Sequence, residues 1–243
     1  MSFKVVIPAR LASARLPNKV LSDIGGKPMV QLTYEQALQS GAEEVIVACD
    51  SHAVEIACAK FGASALMTRE DHQSGTSRLC EVADAMGWSD DQIVVNVQAD
   101  EPMIDPVLID QVANNLANAP WAVISTLAKP LPVVEADNPN RVKVVFGDQG
   151  RAIYFSRHPV PYARDGSPAY WQHIGLYAYR VGLLRRFITW PPAPSERHES
   201  LEQLRVLHYG EAIHVAAADA EAGPGVDTAD DLSAIRALIG AAS

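Results

Sequence analysis

The chain has 243 residues, of which 48% are hydrophobic and 20% charged, and its formal net charge at pH 7 is −9. This composition is typical of a globular protein with an ample core, and the acidic balance argues against general binding of nucleic acids. No apolar run reaches the ~18 residues that a membrane-spanning helix needs. The initial Met-Ser-Phe-Lys leads directly into a strand-like run, so no signal peptide is predicted either.

The first half of the chain alternates strand-like and helix-like segments. Apolar, β-branched runs predict strands, and helices are indicated where Pro precedes or Gly follows a suitable segment. The predicted strands cover 5–7, 44–49, 65–68 and 93–98, and the predicted helices cover 28–40, 53–61, 76–86 and 106–118. This alternation predicts an α/β fold of parallel βαβ units with helices on both faces of the sheet.

The second half has a different pattern. Strand-like runs at 142–146 and 152–155 flank Gly147-Asp148-Gln149-Gly150, which predicts an antiparallel hairpin. Further strands are predicted near 174–179 and 212–217, and helices near 182–189, 200–208 and 229–239. Thr228 and Asp231 resemble a helix N-terminal capping pair, with Asp where Glu or Gln is usual. We therefore expect one nucleotide-binding domain over 1–243, with an antiparallel insertion at about 125–215.

The loop after the first predicted strand carries a concentration of positive charge. Residues 1–27 contain five basic side chains and one acid, in a chain that is acidic overall. The apolar run breaks at Pro8 and is followed by small residues interspersed with Arg10, Arg15 and Lys19. Backbone N–H groups and basic side chains at the carboxyl end of a strand suit a polyphosphate. The alternative is an ordinary exposed basic loop.

Two carboxylates are candidate metal ligands. Asp100 directly follows the apolar strand at 93–98, and ligands of parallel α/β sheets bind beyond the carboxyl ends of the strands. Mg²⁺ prefers one or two protein carboxylates together with substrate phosphates. Asp227, which ends a loop before a helix, is the best second ligand. The alternatives are a turn acid at 100 and a helix-start acid at 227, favoured by the helix dipole.

Several other polar residues are weaker candidates. His72-Gln73-Ser74-Gly75-Thr76-Ser77-Arg78 is a polar loop that enters a helix and suits a base edge or a phosphate. His173 is more simply explained as a hydrogen-bonded strand histidine. Arg157 and Arg164 lie beside the Pro-rich segment and suit an anionic substrate, although surface arginines are ordinary. Glu202 and Gln203 lie on the predicted helix at 200–208, where polar residues usually form a solvated face.

Absent motifs exclude several classes of enzyme. The sequence lacks G-x-x-x-x-G-K-[ST], G-x-G-x-x-G after the first strand, H-E-x-x-H and G-x-S-x-G. This argues against P-loop NTPases, dinucleotide oxidoreductases, zincins and α/β-hydrolases. Three cysteines without Cys-x-x-Cys spacing, Cys49, Cys58 and Cys80, predict reduced core residues and a cytoplasmic location.

The combined motifs resemble one known family. In order they are I-P-A-R-x-x-S-x-R-L-P-x-K, D-H-Q-S-G-T-x-R, V-N-V-Q-x-D-E-P, Y-F-S-R, H-x-G-x-Y, L-E-Q-L-R and G-V-D-T. Their collinear order over nearly the whole chain is similar to that of the 3-deoxy-manno-octulosonate (KDO) cytidylyltransferases. The chain departs from the family at Ala99, where Gly is usual, and at Leu11 and Ala14, where Tyr and Thr are common.

The resemblance implies a fold and a reaction. The fold would be the Rossmann-like nucleotide-diphospho-sugar transferase fold, with a mixed, mostly parallel sheet, and the antiparallel subdomain would bind the sugar and form a homodimer. The enzyme would transfer CMP from CTP to the anomeric hydroxyl of KDO and release pyrophosphate, a step of lipopolysaccharide biosynthesis. Alternatives are a cytidylyltransferase for another acidic sugar, such as a sialic-acid-like or amino-modified one, and a non-catalytic nucleotide-binding regulator.

The resemblance also implies roles for individual residues. The CTP phosphates would contact Arg10, Arg15 and Lys19, and the cytidine would lie near Ser74, Arg78 and Gln98. Mg²⁺ would be held by Asp100 and Asp227, which with Lys19 and Arg15 form the catalytic set. The acidic sugar would be lined by Arg157, Arg164, His173, Tyr177, Glu202 and Gln203. No general base is assigned. We expect Lys19 to be an exposed side chain whose removal barely changes stability.

Overall fold

The computed structural model describes residues 2–12, 16–72, 74–166 and 168–242. Within these ranges the strands are β1 (Phe3–Ala9), β2 (Asp23–Ile24), β3 (Lys27–Pro28), β4 (Glu44–Cys49), β5 (Ser64–Met67), β6 (Ile93–Asn96), β7 (Ile124–Leu131), β8 (Lys143–Phe146), β9 (Ala152–Ser156), β10 (Tyr170–Arg180) and β11 (Ile213–Ala217). The α-helices are α1 (Met29–Ala37), α2 (His52–Lys60), α3 (Gly75–Ala85), α4 (Pro106–Asn118), α5 (Val181–Phe187), α6 (Pro194–Glu199), α7 (Gln203–His208) and α8 (Ala229–Ala242).

The central sheet is mixed, and its main path is mostly parallel. The strand order is β11-β7-β10-β6-β1-β4-β5. Strand β10 pairs antiparallel with both β6 and β7, whereas the other neighbours along this path pair in parallel. All strands of the path except β10 therefore run in the same direction, which confirms the predicted α/β class and places their carboxyl ends along one edge.

Two apolar layers cover the faces of the sheet. Side chains alternate between the faces of a strand, so neighbouring valines of β1 enter different layers. Val5 packs in the cluster with α1, α2 and α4, and Val6 packs in the cluster with α3 and α5. The continuous apolar runs of the parallel strands follow from this two-sided burial.

The region at 125–215 contributes to the central sheet as well as to a hairpin. It supplies most of β7, all of β10 and part of β11. The predicted antiparallel hairpin is confirmed as β8 and β9, with β8 also pairing with β10 at Gln172. A separate substrate-binding and dimerisation subdomain over this region stays a prediction.

Three local predictions were wrong. Strand β1 continues through Pro8 to Ala9, because a parallel neighbour pairs with it along that length. The strand β7 was missed, since Lys129-Pro130 interrupts its apolar run. The predicted helix at 200–208 begins only at Gln203, as α7, and the preceding helix α6 was missed; Ser200 adopts a left-handed conformation with φ 49° and ends α6.

The capping pair before α8 is confirmed. The Asp231 carboxylate accepts hydrogen bonds from the Thr228 N–H and hydroxyl, both at 2.8 Å, and the Asp231 N–H donates to the Thr228 hydroxyl at 3.2 Å. Among the described residues, no helix has the length and apolar character needed to cross a membrane.

Candidate functional site

Several candidate residues meet at the carboxyl edge of the sheet. Arg10 follows β1, Gln98 and Asp100 follow β6, and the loop before α8 brings Asp227 to the same place. They line a cavity of about 320 Å³ that we call the loop cavity, with further lining residues Pro8, Ala12, Lys19, Val20, Gly75, Arg78 and Ala99. Arg10 is exposed. Arg15 lies outside the described residues, so its predicted role stays a prediction.

Lys19 connects the two predicted metal ligands. Its Nζ donates to Asp100 Oδ2 at 2.6 Å, to Asp227 Oδ1 at 3.3 Å and to the Val226 carbonyl oxygen at 2.8 Å. The residue is only 8% exposed, so the expectation of an exposed side chain was wrong. The preceding Asn18 has φ 58°, a left-handed conformation that Asn adopts more readily than most residues, and it begins the short 3₁₀ turn that directs Lys19 inward.

Glycines allow the loop before α8 to lie against the segment that carries Asp100. The Val226 N–H donates to the Asp100 carbonyl oxygen at 2.9 Å. A Cβ added at Gly223 would lie 2.2 Å from the Met103 carbonyl oxygen, so a larger residue there would force the two segments apart. This close approach brings Asp227 to the same ammonium group as Asp100.

Glu101 is a third carboxyl group of this cluster that sequence reasoning missed. Burial raises the pKa of Glu101 to about 7, and repulsion from Asp100 and Asp227 acts in the same direction, while Lys19 opposes it. Because burial is the main cause, the shift describes the apolar surroundings of Glu101 more than the charge of its neighbours. Its position directly after Asp100, in D-E-P, could have indicated that Glu101 lies in the same cluster.

The Asp100 and Asp227 carboxylates fit the donor set of a magnesium site. Both lie within reach of one ammonium group, and Mg²⁺ is commonly held by one or two protein carboxylates together with phosphate oxygens. A cluster of three or more His, Cys, Asp or Glu side chains suited to a metal does not occur in the described ranges. Phosphate oxygens and water commonly supply the remaining ligands of such a site.

Arg78 is buried beneath the loop cavity. It is 1% exposed, and its guanidinium donates to Asp50 Oδ2 at 3.0 Å and to Thr68 Oγ1. Ser74, the N-cap of α3, accepts a hydrogen bond from the Ser77 N–H at 3.3 Å. Gln98 is half-buried and lines the loop cavity and both cavities described next.

A second cavity of about 970 Å³, the broad cavity, adjoins the loop cavity. The two share Gln98, Asp100 and Asp227. The broad cavity contains two of the predicted sugar-binding residues, Arg157 and His173. Its other polar lining residues include Lys129, Asn138, Asn140, Arg141 and Gln172. The lining also contains the acids Glu101 and Asp231 in addition to Asp100 and Asp227. Its cations and amides suit an acidic, hydroxyl-rich ligand.

His173 is a hydrogen-bonded strand histidine that also faces the broad cavity. Its Nε2 lies 3.1 Å from Thr126 Oγ1, and its ring packs edge-on against Phe155. Burial lowers the pKa of His173 to about 3. The imidazole is therefore neutral near neutral pH.

The Arg157 side chain is held in place by backbone oxygens. Its Nε donates to the Glu199 carbonyl oxygen at 2.6 Å, and its Nη1 donates to Pro139 at 2.9 Å. Lys143, which sequence reasoning missed, holds the backbone of this segment: its buried ammonium donates to the Arg157 and Asn138 carbonyl oxygens. Burial lowers the pKa of Lys143.

The remaining predicted sugar-binding residues divide between two places. Tyr177, Glu202 and Gln203 line a third cavity of about 210 Å³, the tyrosine pocket. Burial raises the pKa of Glu202, and hydrogen bonds from Thr76 and Ser74 oppose that shift. Arg164 is exposed and does not line any of these three cavities.

Comparison with known proteins defines the class. The model of a family described as cytidylyltransferase matches residues 4–213. A solved structure described as CMP:2-keto-3-deoxy-manno-octonic acid synthetase complexed with CTP is 43% identical, with a TM-score of 0.94, covering 100% of this chain and 99% of that one. A cytidylyltransferase structure from Leptospira borgpetersenii serovar Hardjo-bovis (strain JB197) is 16% identical, with a TM-score of 0.64 over 99% of this chain and 87% of that one, which is a likeness of fold alone.

The family match and the likeness of fold over the whole chain thus define a nucleotidyltransferase. A curated relative, the 3-deoxy-manno-octulosonate cytidylyltransferase of Proteus mirabilis (strain HI4320), is 54% identical over 97% of this chain and 96% of its own length. The chain belongs to the 3-deoxy-manno-octulosonate cytidylyltransferase family.

Proposed function

We propose that the chain transfers the cytidylyl group of CTP to the anomeric hydroxyl of KDO at the cluster formed by Lys19, Asp100 and Asp227. One observation carries this placement: the Lys19 ammonium is hydrogen-bonded to both carboxylates, at 2.6 and 3.3 Å, where two polar cavities meet. The product, CMP-KDO, is an activated sugar for lipopolysaccharide biosynthesis.

CTP is proposed to occupy the loop cavity. Arg10 is exposed beside it and can neutralise phosphate charge, as can Arg15 farther along the loop. Ser74, Arg78 and Gln98 are proposed to lie near the cytidine. Because the loop cavity is about 320 Å³, a nucleotide would fill it and extend its phosphates toward Lys19.

KDO is proposed to bind in the broad cavity and to extend into the tyrosine pocket. Arg157 supplies a cation already oriented by carbonyl groups, which suits a sugar carboxylate. His173 is neutral and so offers a hydrogen bond without charge. Tyr177, Glu202 and Gln203 supply groups for sugar hydroxyls. Arg164 lies outside these cavities, so contact between Arg164 and the sugar would require its loop to move.

The chain's own residues act chiefly through position and charge. Asp100 and Asp227 are proposed to hold Mg²⁺, which when bound polarises phosphate oxygens and lowers the pKa of a nearby hydroxyl. Lys19 keeps the two carboxylates together and presents positive charge where negative charge develops as pyrophosphate departs. Gln98, between the cavities, orients the reacting groups. The anomeric oxygen of KDO forms a bond to the α-phosphorus as the bond to pyrophosphate breaks, and the hydroxyl proton is released to solvent.

Two further properties are proposed on the same basis. Cys49, Cys58 and Cys80 are free and buried, which suits a reducing, cytoplasmic compartment. Exposed apolar side chains within the region at 125–215 suit a homodimer contact; they include Ile153 on β9 at 63%, Val134 at 92% and Tyr162 at 88% exposure.

The assignment is tested by measuring pyrophosphate release from each of CTP, UTP, ATP and GTP with KDO, and from CTP with sialic acid. We expect efficient turnover only with CTP and KDO. Preference for sialic acid would favour the alternative acidic sugar. No pyrophosphate with any pair would reject the catalytic proposal and favour a non-catalytic regulator.

A further inference from the structure

The start of the basic loop is tied to the sheet by a single carboxylate. Asp50 directly follows β4, and its side chain is 9% exposed. Its Oδ1 accepts a hydrogen bond from the Leu11 N–H at 3.0 Å. Leu11 neighbours Arg10 and Ala12, both of which line the loop cavity. Asp50 therefore constrains the backbone at the point where that cavity begins.

The other oxygen of the same carboxylate is bound to the floor of the cavity. Asp50 Oδ2 accepts from the Arg78 guanidinium at 3.0 Å, and Arg78 on α3 is 1% exposed. A second nitrogen of Arg78 donates to Thr68 Oγ1, and the Thr68 hydroxyl donates to the Cys49 carbonyl oxygen at 2.9 Å. The network thus connects the segments that follow β1, β4 and β5 with α3.

The Asp50–Arg78 ion pair restricts the movement of both side chains. An unpaired guanidinium at this depth would be costly, so the Arg78 position depends on the Asp50 charge. A carboxylate engaged on both oxygens by two separate elements has little freedom to rotate. The Asp50 carboxylate offsets the positive charge of Arg78. The guanidinium therefore contributes to the structure of the cavity wall more than to the attraction of a triphosphate.

We infer that Asp50 is a positioning residue for CTP. It holds the Leu11 amide, and with it the first turn of the basic loop, at a fixed distance from Arg78, so that the nucleotide cavity is formed before ligand arrives. It makes no proposed contact with substrate. Such preorganisation lowers the ordering cost of binding. The inference rests on the proposed placement of CTP in the loop cavity.

The test compares two substitutions at Asp50 with a matched control. Asp50→Ala removes both hydrogen bonds, while Asp50→Asn keeps an oxygen for the Leu11 N–H and removes the charge beside Arg78. Asp110→Ala is the control, because Asp110 Oδ1 likewise accepts from a loop N–H, that of Gly41 at 2.8 Å, away from the described cavities. CTP dissociation constants are measured by calorimetry, and KM for each substrate by pyrophosphate release.

We expect Asp50→Ala to raise the Kd and KM for CTP by about tenfold or more, with the KM for KDO within about twofold of the parent. Asp50→Asn should give a smaller increase, and Asp110→Ala none. Hydrogen exchange at the Leu11 amide should accelerate in Asp50→Ala. If Asp50→Ala does not fold, the Kd and KM for CTP of Asp50→Asn test the inference, and parent-like values would contradict it.

Two outcomes would overturn the inference, and they differ from failure of the CTP placement. Parent-like CTP affinity in a folded Asp50→Ala, or equal losses for CTP and KDO, would reject Asp50 as a positioning residue. The CTP placement is tested separately by Lys19→Ala: parent-like CTP affinity and turnover in that variant would move the nucleotide away from the loop cavity.

Discussion

We expect Lys19 to contribute to stability as well as to turnover, because its ammonium lies between two carboxylates and is largely buried. Lys19→Ala should lower kcat on the order of a hundredfold, since charge developing on pyrophosphate loses its partner. It should also reduce the free energy of unfolding by about 1–2 kcal/mol, because the buried hydrogen bonds from the ammonium to Asp100, Asp227 and the Val226 carbonyl oxygen are lost. Lys19→Arg should restore activity only in part, as a planar guanidinium has a different shape.

Steady-state kinetics and denaturant unfolding check this prediction. The matched control is Lys27→Ala, which removes an exposed ion pair with Glu35. It should leave turnover unchanged and alter stability by less than about 1 kcal/mol. Parent-like kcat in Lys19→Ala would contradict the role proposed for Lys19.

His173 should make the folded state sensitive to acid. Its pKa falls from 6.5 in the unfolded chain to about 3 in the folded protein. Below pH 6.5 the unfolded chain therefore binds a proton that the folded protein refuses, and stability decreases as pH falls toward 3. His173→Gln should flatten the dependence of unfolding free energy on pH between about 6.5 and 4.

Urea unfolding at several pH values measures this slope. His52→Gln serves as the control, because it makes the same substitution at a histidine whose side chain is 83% exposed. An equal slope in the parent and His173→Gln would show that His173 is not the group responsible.

At the level of secondary-structure elements, the N-terminus of α8 positions Asp227. The Asp231 carboxylate accepts hydrogen bonds from the N–H groups of Asp227 at 3.0 Å and Thr228 at 2.8 Å. Asp231→Ala should cost about 1 kcal/mol of stability, as loss of a helix cap usually does. It should also lower kcat, because the Asp227 backbone loses an anchor.

A control at a second helix cap distinguishes the loss of stability from the loss of turnover. Asp105, the N-cap of α4, accepts from the Val107 N–H at 2.9 Å. Asp105→Ala should cause a similar loss of stability, seen as a lower Tm, with turnover retained. Equal turnover in the Asp231 and Asp105 variants would dissociate the α8 cap from catalysis.

Local sequence patterns predicted most elements but not the contacts that join them. The helix at 106–118 and the hairpin strands follow from nearby Pro, Gly and apolar residues. Strand β7 depends on pairing with β10, and its own Lys129-Pro130 argues against a strand. Tertiary pairing overrides local preference in such a segment.

The same limit applies to the site. The resemblance indicated Asp100, Asp227 and Lys19, yet the burial of Lys19 arises from partners 81 and 208 positions away. Asp50 carried no local signal, since its importance comes from the Leu11 amide and a buried arginine. Long-range charge pairing is set by the complete fold and cannot be inferred from spacing alone.

At the scale of the whole molecule, an exposed apolar side chain of the β8–β9 hairpin is a candidate for the proposed dimer contact. Ile153 on β9 is 63% exposed. If the chain forms the proposed homodimer through this surface, Ile153→Lys should shift it toward monomer, because burying an unpaired ammonium is costly. Ile56→Lys is the control, since Ile56 on α2 is 57% exposed and lies on another element.

Sedimentation velocity at several concentrations measures the assembly. We expect a dimer for the parent and Ile56→Lys, and a higher proportion of monomer for Ile153→Lys. A monomeric parent, or a dimer that is unaffected by Ile153→Lys, would count against this surface.

The most direct test of the whole account is pyrophosphate release by Asp100→Asn with saturating CTP, KDO and Mg²⁺. Asp84→Asn, which alters a surface ion pair with Arg185, is the control. We predict that Asp100→Asn folds and loses turnover on the order of a hundredfold or more, because one carboxylate of the proposed metal site is gone, whereas Asp84→Asn behaves like the parent. Full turnover by Asp100→Asn would contradict the assignment of this cluster as the catalytic site.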